Sequence, residues 1–297
     1  MKPVTEFITK IEDCKLFMRR LDLFGEGVTG NKYYKLKYNI LKAKKNKSKG
    51  LITFGGPFSN HLYATALAGK INGFKTIGIV RGDEWSSKTN ESSTLSSCIK
   101  NGMKLFFISR SLYKQKNSVY FWNLINFSSN SYYVIPEGGT NKLAVKGTSE
   151  IIQKNDFVYD SLCCPVATGG TIAGLIKSSN LNQNVVGFSS LNHKGLKNEV
   201  DNLIIPKKWN LVNNYTFGGY AKTKPELISF INKFKREHSI QLDPIYSGKM
   251  VFGIFDLIKT KKWFFGKNIL IFHTGGIQSI HGFNQRQKKK GLSCILN

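Results

Sequence analysis

The chain has 297 residues, 41% of them hydrophobic, which is enough to bury a sizeable core in one large domain or two lobes, and its apolar runs fall well short of the roughly 20 residues of a membrane-spanning helix. Its formal charge of +26 comes from 44 basic and 18 acidic residues, but only six of the basic side chains are arginine, the type that dominates base and phosphate readout, so the excess lysine argues against a nucleic-acid binder. Five cysteines without CxxC spacing exclude a disulfide framework and a zinc site, and no metal is expected.

Met1 to Lys10 alternates charged and apolar residues and lacks the apolar core of a secretory signal, which predicts a cytoplasmic location. A helix is predicted over Tyr33 to Lys45, with the lysine run of residues 42–49 as its solvated end. A strand at Leu51 to Phe54 and a helix at Asn60 to Ile71 follow, then strands at Thr76 to Val80, Lys104 to Ile108 and Tyr132 to Ile135. Beyond them come a helix at Asn141 to Gln153, a strand at Ser161 to Val166 that buries Cys163 and Cys164, and a helix at Thr171 to Ser178. A strand at Val185 to Phe188, helices at Pro225 to Glu237 and Met250 to Thr260, and a strand at Asn268 to Phe272 complete the pattern. Strands alternating with helices predict an α/β fold with two lobes, each a mostly parallel sheet flanked by helices.

Glycine pairs follow four of the strands, at Gly55-Gly56, Gly138-Gly139, Gly169-Gly170 and Gly275-Gly276. In open α/β sheets ligands bind beyond the carboxyl ends of the strands, so these turns are expected to line one cleft. Three segments there carry chemistry. Gly30-Asn31-Lys32 sets a lysine at the mouth of a helix; most lysines are surface residues, and only a desolvated amine makes a good Schiff base. Ser59-Asn60-His61 opens a helix, where Ser59 serves either as an N-cap or, with free N–H groups, as a carboxylate site. The loop Ala167-Thr168-Gly169-Gly170-Thr171 offers an anion nest; without a P-loop lysine or GxGxxG spacing it suits a compact monophosphate.

Together with Arg19-Arg20-Leu21-Asp22, Pro136-Glu137-Gly138-Gly139-Thr140, Phe217-Gly218-Gly219-Tyr220, Leu242-Asp243-Pro244-Ile245-Tyr246-Ser247-Gly248-Lys249 and His273-Thr274-Gly275-Gly276, these segments run in order over nearly the whole chain. The set resembles the tryptophan-synthase-β-like class of pyridoxal-phosphate enzymes, and within it the 1-aminocyclopropane-1-carboxylate deaminase and D-cysteine desulfhydrase family. That resemblance implies a larger lobe of residues 1–38 and 141–297 and a smaller lobe of residues 39–140. It implies that Lys32 is the Schiff-base lysine, that Asn60 holds the cofactor ring, and that Lys35 with Thr168, Gly169, Gly170 and Thr171 holds the phosphate. Ser59, Asn60, His61, Tyr220 and Tyr246 are expected to face a small amino-acid substrate, with Lys32, Ser59, Tyr220 and Tyr246 catalytic, and a homodimer is implied.

Ser247 stands where the family places a residue near the pyridine nitrogen. A carboxylate there keeps the ring protonated and a strong electron sink, whereas a hydroxyl is too weak an acid and base to do so. Opening a cyclopropane wants the stronger sink, so Ser247, with His61, favours β-elimination from D-cysteine to pyruvate and ammonia; the alternative is ring opening to 2-oxobutanoate and ammonia. More distant readings are a non-catalytic cofactor-binding protein and a basic nucleic-acid binder. Two features depart from the family pattern: the lead into Lys32 is short, which leaves an opening strand or interface element in question, and Phe283 replaces a common hydroxyl residue.

Overall fold

The computed structural model describes residues 2–125 and 131–296, and among them it forms ten strands and eleven α-helices besides short 3-10 turns. In chain order the strands are β1 (Thr5–Ile11), β2 (Cys14–Arg20), β3 (Gly50–Gly55), β4 (Lys75–Arg81), β5 (Met103–Ile108), β6 (Tyr132–Ile135), β7 (Ser161–Val166), β8 (Asn184–Ser189), β9 (Asn210–Val212) and β10 (Asn268–His273). The helices are α1 (Asn31–Lys45), α2 (Asn60–Asn72), α3 (Ser93–Lys100), α4 (Arg110–Lys114), α5 (Val119–Leu124), α6 (Lys142–Thr148), α7 (Gly170–Ser178), α8 (Leu196–Asp201), α9 (Pro225–His238), α10 (Ser247–Lys259) and α11 (Ser279–Lys289).

The strands divide into a six-stranded sheet, β1-β2-β10-β7-β8-β9, and a four-stranded sheet, β5-β4-β3-β6. Every pairing is parallel except β1 with β2. β3 and β7 are buried at every position, which is why they read as unbroken apolar runs: helices cover both faces of a parallel sheet. Alternation still sorts their neighbours. Ile269 and Ile271 pack with α9 and α10, while Leu270 and Phe272 pack with α7 and α8 on the opposite face. Cys163 and Cys164 lie fully buried in β7.

The seven expected strands and six expected helices all form, one of them shorter than expected. The helix expected over Asn141 to Gln153 ends at Thr148, because Gln153 begins the next turn in a reciprocal cap with Asp156, whose carboxylate accepts from the Gln153 N–H at 2.8 Å. The opening element left in question is present as the β1–β2 hairpin, and β2 runs beside β10. Its charged residues concealed it: Arg19 is buried and paired with Asp156, and Arg20 pairs with Asp22 and Glu6. Phe283 lies in α11 and is buried in the apolar core beside Ile280 and Ile295. No helix among the described residues is long and apolar enough to cross a membrane.

Candidate active site

The four glycine turns converge. Residues from the turns after β3, β6, β7 and β10, together with the start of α1, line one cavity of about 450 Å³. The first turn of α1 reaches it because Gly30 has φ +72° and a Cβ there would stand 2.4 Å from the Thr274 carbonyl oxygen, so only glycine lets the helix seat against the loop after β10. The Asn31 N–H donates to that carbonyl at 3.1 Å. Three positions apart on the helix, Lys32 and Lys35 project from the same face into the cavity.

The two amines have different surroundings. Lys32 Nζ donates to Asn31 Oδ1 at 3.3 Å, and Asn31 Nδ2 donates in turn to Thr171 Oγ1 at 2.9 Å. Burial lowers the Lys32 amine to about 8, in the range of a usable nucleophile and base. Lys35 Nζ donates to Gly138 O at 2.9 Å, Thr140 Oγ1 at 3.0 Å and Thr168 Oγ1 at 3.3 Å. No carboxylate among the described residues pairs with Lys35, and burial, reinforced by the charge of Lys32, holds its amine well below the ordinary lysine value. A buried amine without a carboxylate partner, among threonine hydroxyls, suits an anion. Gly169 caps α7 in the left-handed region with φ +76°, and a Cβ on Gly170 would come 2.8 Å from Thr140 Oγ1 and 3.1 Å from Lys35 Nζ. The start of α7 thus seats against Thr140 and the Lys35 amine only because Gly170 lacks a side chain.

Opposite lies the start of α2. Ser59 is its N-cap, its Oγ accepting from Leu62 N–H at 3.3 Å, and it also lines the cavity. Asn60 Oδ1 and His61 Nδ1 are buried with no hydrogen-bond partner among the described residues. His61 Nε2 lies 2.7 Å from Thr53 Oγ1, whose hydroxyl donates to Ile135 O, so the inferred tautomer carries its hydrogen on Nε2. Burial first, then the charges of Lys32 and Lys35, keep His61 neutral. The third wall holds Tyr220 and Tyr246, rings edge to face with centroids 6.3 Å apart and hydroxyls at 3.5 Å. Burial raises both phenols, so at neutral pH each is a hydrogen-bond donor rather than a base.

Of the expected residues, Lys32, Lys35, Ser59, Asn60, His61, Thr168, Gly169, Thr171, Tyr220 and Tyr246 border the cavity; Gly170 and Ser247 do not. Gly170 lies directly behind the Lys35 amine. Ser247 is fully buried at the start of α10, where its hydroxyl donates to Asp243 Oδ2 at 2.6 Å and accepts from Asp243 N–H at 2.9 Å. Asp243 also accepts from the N–H groups of Ile245, Tyr246 and Ser247, so it fixes the turn that presents Tyr246. The sequence motifs give no role to Asn31, Thr140 or Asp243, nor to Arg81, which also lines the cavity; the Gly-Gly-Thr and Asp-Pro motifs contain the signal for Thr140 and Asp243.

No family profile matches the chain. It is 30% identical to a protein of Pyrococcus abyssi provisionally named a 1-aminocyclopropane-1-carboxylate deaminase, over 91% of this chain and 87% of that protein. It is 26% identical to a mitochondrial bifunctional D-cysteine desulfhydrase/1-aminocyclopropane-1-carboxylate deaminase of Arabidopsis thaliana, over 90% of this chain and 73% of that one. The crystal structure of a 1-aminocyclopropane-1-carboxylate deaminase homologue superposes with a TM-score of 0.83 at 26% identity, covering 97% of this chain and 94% of that chain. With the sheet order, the paired lysines and these relatives in agreement, the chain belongs to the 1-aminocyclopropane-1-carboxylate deaminase and D-cysteine desulfhydrase family of pyridoxal-phosphate enzymes.

Proposed function

We propose that this enzyme binds pyridoxal 5'-phosphate on Lys32 and deaminates a small amino acid by β-elimination in the manner of a D-cysteine desulfhydrase, giving pyruvate and ammonia. The observation that carries the reading is the buried Lys35 amine, without a carboxylate partner among the described residues, in its cradle of Thr140, Thr168 and Gly138, one helical turn from the lowered amine of Lys32. Lys35 and the loop Thr168, Gly169, Gly170 and Thr171 would hold the phosphate; the unpartnered Asn60 Oδ1 marks a polar wall for the ring. When bound, the cofactor supplies an electron sink conjugated to the substrate's α-carbon.

The protein's own groups supply the rest. Ser59 and the free N–H groups at the start of α2 bind the substrate carboxylate and so orient the Cα–H bond. Lys32 Nζ, once the substrate's amino group has displaced it, would take the α-proton, and the electron pair that held it would expel the β-substituent with its bonding electrons, leaving an enamine that water hydrolyses to pyruvate and ammonia. Tyr246 and Tyr220, held protonated, donate a hydrogen bond to the departing group, and His61 forms the neutral back wall of the substrate site. Ser247, its hydroxyl taken up by Asp243 behind the cavity wall, brings no carboxylate to the ring-nitrogen position that its motif implies, which favours elimination over ring opening. The names of the relatives support cyclopropane ring opening as the second reading.

We also propose the division into a larger lobe of residues 1–38 and 141–297 and a smaller one of residues 39–140, a homodimer and a cytoplasmic location. Sheet membership supports the first, and light scattering of the purified chain tests the second. The primary test is incubation with the cofactor, borohydride reduction and peptide mapping. The expected result is a protein that turns yellow with the cofactor and, once borohydride has bleached it, carries the modification at Lys32; a protein that stays colourless when the cofactor is added, or is modified elsewhere, refutes the proposal.

A further inference from the structure

Lys249 has no part in the chemistry described so far, yet its placement is costly. It lies in the first turn of α10, two residues beyond Ser247, and is 1% exposed. A cation there faces the positive end of the helix dipole, and no carboxylate among the described residues forms an ion pair with it. Asp243, whose charge acts on the Lys249 amine, is already taken up by three N–H groups and the Ser247 hydroxyl. The Lys249 ammonium is instead satisfied by two backbone carbonyls, Thr216 O at 2.8 Å and Gly219 O at 2.7 Å.

Those carbonyls bracket an unusual turn. Phe217 has φ +51°, Gly218 +94°, Gly219 +113° and, after Tyr220, Ala221 has φ +56°. A run of left-handed residues that includes Phe and Ala is strained, and it persists only when its surroundings over-determine it. Internal support is slight: the Gly219 N–H donates to Thr216 O at 3.0 Å and the Lys222 N–H to Gly219 O at 3.2 Å. The residue this turn presents to the cavity is Tyr220. The same helix start presents Tyr246, through the turn that Asp243 fixes.

We infer that Lys249 is a positioning residue that clamps the Thr216–Gly219 turn and thereby sets Tyr220 against Tyr246 at the substrate. The inference rests on the proposed reading of Tyr220 as a substrate-facing group. Lys249→Gln removes the charge and shortens the reach to both carbonyls, so the turn relaxes and Tyr220 leaves its place. The test is a double-mutant cycle on the cofactor-loaded enzyme, with Lys249→Gln made alone and together with Tyr220→Phe, and with hydrogen exchange followed across residues 216–222 and 243–247. Lys249→Gln alone is expected to lower turnover about tenfold and to raise exchange in residues 216–222 but not in 243–247. In the Tyr220→Phe background the same change is expected to cost less than about twofold, because the group being positioned is already impaired. Losses that multiply, or unchanged exchange in residues 216–222, overturn the inference while leaving the proposed reaction standing. A Tyr220→Phe enzyme with undiminished turnover overturns the role of Tyr220 in that reaction, and this inference with it. Should the glutamine variant not fold, Lys249→Arg, whose longer guanidinium displaces the same carbonyls, carries the identical cycle.

Discussion

Replacing Lys35 by methionine should weaken cofactor binding without harming the empty protein. In the empty site the ammonium is buried without a counter-charge, and Thr140 Oγ1 and Thr168 Oγ1 remain bonded to each other at 2.6 Å when it is removed. The substitution leaves Gly138 O without a donor, a cost of about 1 kcal/mol, and relieves the desolvation of a charge, so the net change in the stability of the empty protein is near zero or favourable. The bound phosphate loses a charge-assisted hydrogen bond worth about 1.5–3 kcal/mol, or roughly 10- to 150-fold in affinity. There is a pH signature as well. Because burial lowers the Lys35 pKa in the folded state, the unfolded chain holds more protons between that value and the ordinary 10.5, so the stability of the empty protein rises with pH through this window. Lys35→Met should flatten that rise. Urea melts of the empty protein at about pH 7 and about pH 9.5, with cofactor titrations, read both effects. An empty variant that is strongly destabilised while its cofactor affinity is unchanged would show that Lys35 is a structural residue, and the phosphate-cradle argument would fail.

Three further outcomes are expected. The rate at which the cofactor becomes attached should climb with pH and level off near 8, as the Lys32 amine loses its proton; a flat profile from about pH 6 to 9 would contradict the lowered amine. Gly30→Ala should destabilise the fold by at least about 2 kcal/mol, since it combines φ +72° with a 2.4 Å approach to Thr274 O, and a melting temperature unchanged from wild type would refute that close packing. Ser247→Glu would bury a second carboxylate against Asp243, so its melting temperature should fall well below that of Ser247→Ala; equal stability of the two would show that the Ser247–Asp243 contact is not retained.

The sheet cores were legible because β3, β7 and β10 are apolar runs closed by turns, and glycine pairs mark the turns that meet at the cavity. The β1–β2 hairpin was not legible: Arg19 and Arg20 look like surface residues until Asp156, far along the chain, is seen to neutralise the first. Helix α11 was hidden likewise, since Ile280 and Phe283 are a thin apolar signal in a basic segment. In the site, the motifs singled out Lys32 and Lys35 among many lysines, but their desolvation exists only once the turns from four strands close over them. Ser247 shows the opposite limit. Its motif position suggested a role toward the cofactor, whereas its commitment to Asp243 is a matter of side-chain geometry that spacing does not encode.

The central claim is tested most directly by supplying the cofactor-loaded enzyme with D-cysteine and with 1-aminocyclopropane-1-carboxylate in parallel, identifying the 2-oxo acid and measuring ammonia, with Lys32→Ala as the control. Faster ammonia release from D-cysteine, with pyruvate as the product and no turnover by the Lys32→Ala enzyme, is the predicted result. Faster release from the cyclopropane, with 2-oxobutanoate as the product, would contradict the elimination reading.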